Sequence, residues 1–203
     1  MLGIMATYIP EGTDKEDQES HVYLHGSSAS RLTRMTADHG DEGLPVCVCA
    51  TLMDGFVMAL APFHNSCNYR SAVLFGRATK VEDPEEILFA MHAITNEVNP
   101  HRWENSRTPP TKAELTATGI LKVKIETASC KIRVGGPSDD RKDLKDDELT
   151  ARVWQGVVPA YLTLGDPLSG PENKVKAIPT YVQNWVDEFN AAGREYSQKA
   201  TQQ

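Results

Sequence analysis

Apolar and polar residues alternate along much of this chain, and such alternation predicts β-strands. The pattern is clearest from Ile120 onward, where Leu121, Val123 and Ile125 fall on one face and charged side chains fall on the other. This strand is expected to continue, or to bend at residues 128–129, into the segment CKIRVGGP. Similar alternation or short apolar runs predict further strands at residues 1–10, 22–25, 71–81 and 154–164.

The clearest local unit lies between residues 46 and 61. Two apolar runs, VCVCATLM and FVMALA, flank Asp54 and Gly55. This dipeptide is favoured in tight hairpin turns because both positions tolerate positive φ. We therefore expect a hairpin there, joined to the strand at 71–81 in an antiparallel meander. Gly76 interrupts that third strand, which indicates a bulge or a close approach by another group.

Helical patterns lie between and after the strands. Asp83 and Pro84 form a strong helix start, with Asp as the cap and Pro in the first turn. Thr111 and Glu114 have the spacing of a capping box for a short helix, which Gly119 is expected to close. A last apolar stripe at helical spacing predicts an amphipathic helix in the tail and consists of Tyr181, Trp185, Val186 and Phe189.

These elements predict a mainly β fold with inserted helices. About six strands, mostly antiparallel, and three or four helices favour a small antiparallel barrel over a parallel α/β sheet. The chain of 203 residues is long enough for one domain with a proper core. We place that domain at residues 1–165, followed by a Pro/Gly connection and the C-terminal amphipathic helix at residues 166–203.

Composition and charge narrow the function classes. The formal net charge of −7 argues against nucleic acid as a partner, because phosphate backbones require a basic face. No apolar run reaches transmembrane length, and MLGIMATYIPEG lacks the charged start and long apolar centre of a signal peptide. We therefore expect a cytoplasmic protein with no nucleic-acid or membrane partner.

The sequence does not favour a metal site. Cys47 and Cys49 alternate with valines, so both are expected on one strand face as small apolar side chains. A zinc site would need a second close ligand pair. His21 and His25 lie too far apart along one strand to suggest a shared metal. We expect no metal, and no disulfide framework from the four cysteines, Cys47, Cys49, Cys67 and Cys130.

Candidate chemistry is concentrated in the stretch HVYLHGSSASR, from His21 to Arg31. A short apolar run ends in His25, small residues and serines follow, and Arg31 opens the apparent helix RLTRM. A strand that turns directly into a helix N-terminus presents unpaired N–H groups and the positive end of the helix dipole, which favour an anion. Two interpretations remain open: a phosphate pocket with a histidine at its edge, or plain helix caps without a ligand.

Four segments, in order and spacing, resemble one known family: HVYLHGSSASR, NYRSAVLFGRATKVEDPEE, SCKIRVGGPSDD and VWQGVVP. They are similar to pyridoxamine 5′-phosphate oxidase-like, FMN-binding split-barrel proteins, in the flavin-nucleotide-binding branch related to nitroimidazole reductases. The resemblance extends to about residue 164 and implies an antiparallel split β-barrel. Family members begin with a helix and a complete strand before the segment that MLGIMATY resembles. The resemblance therefore implies a barrel that is partial at its N-terminus.

The resemblance also implies which residues would hold FMN. Arg31 takes the place of a contact to the FMN phosphate, and Ser27, Ser28 and Ser30 become donors around the same group. His25 corresponds to the histidine that nitroimidazole reductases place beside the flavin ring, and it is the catalytic candidate. The residues alone leave other roles open, since His25 could be a strand-end histidine bonded to backbone and Arg31 a surface residue of a short helix.

A second group of cofactor contacts follows from the other matching segments. Ser71 falls where the oxidases carry a glutamine against the isoalloxazine, and Tyr69 and Arg70 are its neighbours. Lys131 matches a basic residue near the cofactor. A positive group near the pyrimidine end of the ring would stabilise reduced flavin, and Arg70 or Lys131 is the candidate. Tyr69 could equally be a core or interface aromatic residue, and Lys131 an ordinary solvated side chain.

The function implied by the resemblance is that of an FMN-dependent oxidoreductase acting on a small organic substrate. A nicotinamide electron donor is a candidate partner, and a homodimer is implied because the cofactor in this fold lies between two subunits. The chain lacks the family's second basic residue after the serine–arginine pair and a recognisable pyridoxal-phosphate clamp. Pyridoxamine phosphate oxidation itself is therefore not expected. The alternative is a non-catalytic flavin-binding or degenerate split-barrel protein, and the tail resembles a fungal-like extension.

Overall fold

The structure is a computed structural model that describes residues 2–14 and 19–202. Within these residues the chain forms one six-stranded sheet with the strand order β1-β2-β5-β4-β3-β6. The strands are β1 (Leu2–Ala6), β2 (His21–Ser27), β3 (Leu44–Met58), β4 (Ser66–Lys80), β5 (Thr118–Arg133) and β6 (Gly156–Pro159). The pairs β1–β2, β2–β5 and β3–β6 are antiparallel, as the sequence predicts.

The helices in the described part of the chain are α1 (Arg31–Asp38), α2 (Pro84–Val98), α3 (Lys112–Ala117), α4 (Asp147–Arg152) and α5 (Thr180–Lys199). Three begin as predicted, and the first of them is α1 at Arg31. The Asp83 carboxylate accepts from the Glu85 amide at the start of α2. Thr111 and Glu114 form a reciprocal capping box at α3. The predicted tail helix is confirmed as α5. No helix of the described residues has the length and apolarity needed to span a membrane.

The chain divides into two compact units. The first consists of Met1–Val48 and Leu74–Ala128, and the second consists of Cys49–Val73 and Ser129–Gln203. Strands β3, β4 and β5 contribute residues to both units. The domain boundary at residue 165 stays a prediction.

The core of the first unit forms where α2 packs on β2. Tyr23 and Ala90 are fully buried there, and the rings of Tyr23 and Phe89 meet edge to face with centroids 5.7 Å apart. The Tyr23 hydroxyl donates to Glu86 Oε1 at 2.6 Å, and Lys122 Nζ lies 2.7 Å from the same oxygen. Because side chains alternate along a strand, His25 shares the face of Tyr23 that is turned to α2.

In the second unit, the C-terminal helix is tied to the sheet. Asn68 is fully buried and its amide donates to the carbonyl oxygens of Gly135 and Ala200, at 3.0 and 3.2 Å. The bond to Ala200, the C-cap of α5, joins the end of this helix to β4. Val57 of β3 pairs with Val157 of β6 in the same unit.

The hairpin predicted at Asp54 and Gly55 is wrong, because β3 continues through both residues to Met58. Gly55 pairs with Pro159 of β6, and Asp54 is only 3% exposed because its carboxylate binds Arg70. Strand pairing and a buried ion pair therefore override the local turn preference. The predicted meander accordingly reduces to two sequential neighbours, β3 and β4.

The structure also decides three smaller predictions. Gly119 does not close α3, because the helix ends at Ala117 and Gly119 pairs with Gly26 inside β5. The last strand covers only Gly156–Pro159 of the predicted 154–164. The close approach predicted at Gly76 is confirmed, since a Cβ built there would lie 2.1 Å from the carbonyl oxygen of Lys124.

Candidate functional site

The residues predicted to bind the cofactor are divided between the two compact units. The first unit holds the strand-to-helix group, consisting of His25, Ser27, Ser28, Ser30 and Arg31. The second unit holds the other group, consisting of Tyr69, Arg70, Ser71 and Lys131. Each group is described within its own unit.

The turn between β2 and α1 is held by its own serines. Ser30 is the N-cap of α1, where its hydroxyl accepts from the Thr33 amide at 3.2 Å and lies 2.9 Å from Thr33 Oγ1. Ser27 Oγ accepts from the Ala29 amide, and the Ser28 amide donates to the carbonyl of Ala117. The structure therefore gives Ser30 a capping bond in addition to any contact it makes with a ligand.

The start of α1 has features that favour an anion. Arg31 is exposed and is the first residue of the helix. Its amide and that of Leu32 belong to the first turn, whose N–H groups have no acceptor within a helix. Ser30 caps the next amide, and the helix dipole and the Arg31 guanidinium both favour a negative group at this end.

His25 lies on β2, where it pairs with Leu2 of β1 and Ile120 of β5. Its Nδ1 atom is buried and has no hydrogen-bond partner among the described residues. The side chain lines a cavity of about 280 Å³, which we name the α2 cavity. Among the described residues Nδ1 makes no bond to backbone, and the choice between a flavin contact and a strand-end histidine bonded to backbone stays a prediction.

The walls of the α2 cavity are mainly apolar and come from β1, α2 and the segment that follows α2. The apolar lining residues are Leu2, Met91, Ile94, Val98 and Trp103. The polar lining residues are His25, Thr95, Asn99 and Arg102. Asn99 Oδ1 is buried and, like His25 Nδ1, has no partner among the described residues.

A polar cluster holds the Trp103 wall against α2. The Trp103 amide donates to Asn96 Oδ1 at 2.9 Å, and Asn96 Nδ2 donates to the Glu104 carboxylate at 3.0 Å. His92 Nε2 lies 2.9 Å from the same carboxylate. A backbone hydrogen bond at Glu104 and the bond to His92 hold the Glu104 pKa below its ordinary value.

Sequence reasoning missed Asn99, Trp103 and Glu104 because they lie in the loop NPHRWENSRTPP, which carries no motif. The one signal in the sequence was the position of this loop. The loop directly follows a predicted amphipathic helix, so its polar and aromatic side chains could fold back onto that helix. Only the three-dimensional packing identifies Asn99 and Trp103 as partners of His25 in one cavity.

In the second unit, Arg70 forms an ion pair with a buried carboxylate. Its guanidinium donates to Asp54 at 3.0 and 2.8 Å and lies 3.5 Å from the centroid of the Tyr196 ring. The hydrogen bonds to Asp54 raise the Arg70 pKa above its ordinary value. Sequence reasoning found Arg70 but not these two partners.

The other predicted residues of this unit lie close together on β4 and β5. The Ser71 hydroxyl donates to the carbonyl oxygen of Lys131 at 3.3 Å. Lys131 is exposed, and its Nζ atom lies 5.9 Å from the centroid of the Tyr69 ring. The structure thus brings Tyr69, Ser71 and Lys131 into one neighbourhood with an exposed positive charge.

Comparison with known proteins identifies the family. The sequence profile described as pyridoxamine 5′-phosphate oxidase matches residues 11–132, well over half of the chain. The protein therefore belongs to the pyridoxamine 5′-phosphate oxidase family, which confirms the resemblance. No protein of curated function matches the sequence.

Two solved structures are similar over most of the chain. The flavocytochrome Anf3 from Azotobacter vinelandii is 28% identical with a TM-score of 0.69, and the match covers 90% of this chain and 83% of that one. The FAD and heme binding protein from Mycobacterium smegmatis is 28% identical with a TM-score of 0.70, covering 91% and 89%. The predicted fold class, a mainly β antiparallel split barrel with inserted helices, is confirmed.

Proposed function

We propose that this protein binds FMN and is an oxidoreductase that acts on a small organic molecule. Membership of the pyridoxamine 5′-phosphate oxidase family supports the proposal, as do the two similar structures, whose names describe a flavocytochrome and an FAD and heme binding protein. The observation that carries it is the arrangement of one strand. β2 holds His25 and then leads directly into α1, which has Ser30 as its N-cap and Arg31 as its first residue.

The residues of this strand and turn suit a flavin nucleotide. Arg31 and the first amides of α1 would hold the phosphate, and Ser27 and Ser28 border the same turn. His25 would lie beside the flavin ring, as the family resemblance implies. When bound, the flavin supplies hydride or electron transfer, while the protein binds and orients it and sets its electronics.

The positive group that would favour reduced flavin is Lys131 in this proposal. Lys131 and Arg70 are both candidates from the sequence, but the Arg70 charge is already paired with Asp54. Lys131 is exposed, with its ammonium near the Tyr69 ring. A lysine in that setting can place its charge next to a ligand without breaking an ion pair of the fold.

A homodimer is part of the proposal, and an exposed apolar pair supports it. Phe56 of β3 lies directly opposite Val158 of β6, and these side chains are 47% and 44% exposed. Contiguous apolar patches on a protein surface mark interaction sites, and this pair would form part of one. Light scattering on the purified protein should give the mass of two chains, and Phe56→Ser should shift it toward one.

The cofactor is tested on the purified full-length protein. Released cofactor should be FMN by mass spectrometry, or the flavin-free protein should take up added FMN with a change in the flavin absorbance bands. A nicotinamide donor should bleach the bound flavin, and a small organic acceptor should restore its absorbance. Failure to bind any flavin would overturn the proposal, whereas binding without turnover would support the alternative, a non-catalytic flavin-binding protein.

A second candidate is a protein that carries FAD and heme, as the name of the Mycobacterium smegmatis protein describes. This chain is 28% identical to that protein, and the match covers 91% of this chain, which supports the second candidate. The same purification distinguishes the two, because heme gives an intense Soret band and FAD differs from FMN in mass.

A further inference from the structure

We propose that the α2 cavity binds a small, largely apolar aromatic molecule of one or two rings that carries an N–H or O–H donor. The binding site goes beyond the flavin assignment. That its occupant is the substrate of the enzyme rests on the proposed function, whereas the binding itself does not.

Two buried polar atoms point to this ligand. Four buried side-chain polar atoms in the described residues have no hydrogen-bond partner, and two of them, His25 Nδ1 and Asn99 Oδ1, line this one cavity. Folded proteins leave few such atoms unpaired. Asn99 Oδ1 can only accept a hydrogen bond, so its missing partner is a donor, and His25 Nδ1 can accept or donate.

The walls define the rest of the molecule. Trp103 offers a flat aromatic surface, and Leu2, Met91 and Val98 add apolar contact. A charged molecule would lose its hydration against such walls, whereas a neutral ring gains from burial. Arg102 also lines the cavity, so an anionic ring is included among the probes below.

The size of the cavity limits the ligand. Its volume of about 280 Å³ is at the lower end of ligand pockets, which suits one or two fused rings rather than a whole nucleotide. The Trp103 wall is held in place by the hydrogen bond from its amide to Asn96, which in turn bonds Glu104. Because this wall is already held in place, ligand binding costs little conformational entropy there.

Calorimetry with flavin-free, full-length protein tests the site. The probes are indole, benzothiophene, which has nearly the same shape without the N–H donor, and indole-2-carboxylate, which is anionic. Indole should bind, and benzothiophene should bind roughly three- to tenfold more weakly because it leaves Asn99 Oδ1 unpaired. Three outcomes would overturn the inference. They are equal affinities for indole and benzothiophene, no heat from indole at millimolar concentration, and tighter binding of indole-2-carboxylate than of indole.

Two variants locate the binding. Asn99→Leu should remove the preference for indole over benzothiophene, because the acceptor is gone. Val98→Trp should fill the cavity and abolish binding of both, whereas Val175→Trp, the same change at a likewise exposed residue of the second unit, should not alter it. Unchanged indole binding in Val98→Trp would place the probe elsewhere and overturn the inference.

The outcomes separate this inference from the flavin proposal. Indole binding to a protein that takes up no flavin would remove the proposed function and leave the site. Flavin uptake by a protein that binds no indole would overturn this inference and leave the proposed function. Competition between FMN and indole would overturn the inference, because the cavity would then belong to the flavin site itself.

Discussion

The Arg70 guanidinium binds the Asp54 carboxylate through two hydrogen bonds, from Nε at 3.0 Å and from Nη2 at 2.8 Å. Asp54 is 3% exposed, so its charge depends on this partner, and the Tyr196 ring covers Arg70 at 3.5 Å. The contact joins β3, β4 and α5 in the second unit. It also explains why the hairpin turn predicted at Asp54 is replaced by a continuous strand.

Breaking this ion pair should destabilise the protein. Arg70→Gln leaves Asp54 buried without its cation, and we expect a loss of about 2–4 kcal/mol in the free energy of unfolding, measured by urea denaturation. The matched control is Arg77→Gln, whose partner Glu126 is exposed, and it should cost less than about 1 kcal/mol. Equal losses in both variants would contradict the structural role given to the Asp54–Arg70 pair.

Arg31 should contribute to flavin affinity without supporting the fold. Arg31→Gln removes the positive side chain at the start of α1, and we expect FMN to bind roughly 10- to 100-fold more weakly in a fluorescence titration. Arg34→Gln, also exposed on α1, should leave the affinity within about twofold. Identical affinities for the two variants would remove Arg31 from the proposed phosphate site.

Gly76 should tolerate no side chain. A Cβ there would lie 2.1 Å from the Lys124 carbonyl oxygen, which is backbone and cannot move aside cheaply. Gly76→Ala is expected to lower the free energy of unfolding by about 2–3 kcal/mol, measured by thermal or urea denaturation. Gly136→Ala is the control, because a Cβ at Gly136 meets nothing within 4 Å and should change stability by less than about 0.5 kcal/mol.

The capping box of α3 should make stability depend on pH. Bonds from Arg107 and Thr111 lower the Glu114 pKa to about 2 from its ordinary 4.5. Because the folded pKa is depressed, this stabilisation is fully present above the unfolded pKa and is lost as the pH falls from about 4.5 toward 2. The difference in unfolding free energy between the wild type and Glu114→Gln should therefore shrink over that range.

The control for the pH experiment is Glu188→Gln, an exposed position on α5. This variant removes an exposed carboxylate outside the capping box, and its difference from the wild type is the reference over the same range, from about pH 4.5 toward 2. A difference between wild type and Glu114→Gln that stays constant over this range would mean that the carboxylate of Glu114 gains nothing from its bonds to Arg107 and Thr111.

Much of the fold was readable from the chain because its signals are local. Asp83 and Thr111 start helices through side chains that bond amides two or three residues away, so sequence spacing is sufficient to identify them. Ser27–Arg31 was found in the same way, as a strand followed by a helix cap. The family resemblance added the sheet architecture, and the fold comparison confirmed it.

The errors lie where partners are distant in sequence. Asp54 and Gly55 favour a turn locally, but pairing with β6, about 100 residues later, keeps them in a strand. Gly119 has the position of a helix end, but its place opposite Gly26 in the sheet decides its conformation. Such long-range pairing outweighs a local preference because many backbone hydrogen bonds form together.

By itself, the sequence determined the family, the antiparallel β character, the helix starts and the stretch His21–Arg31 as the place to look for chemistry. Tertiary structure alone decided that the charge of Arg70 is held by Asp54, and that His25 and Asn99 face one cavity. The physical reason is that burial and hydrogen-bond pairing depend on which segments pack together. The spacing of residues within either segment does not contain that information.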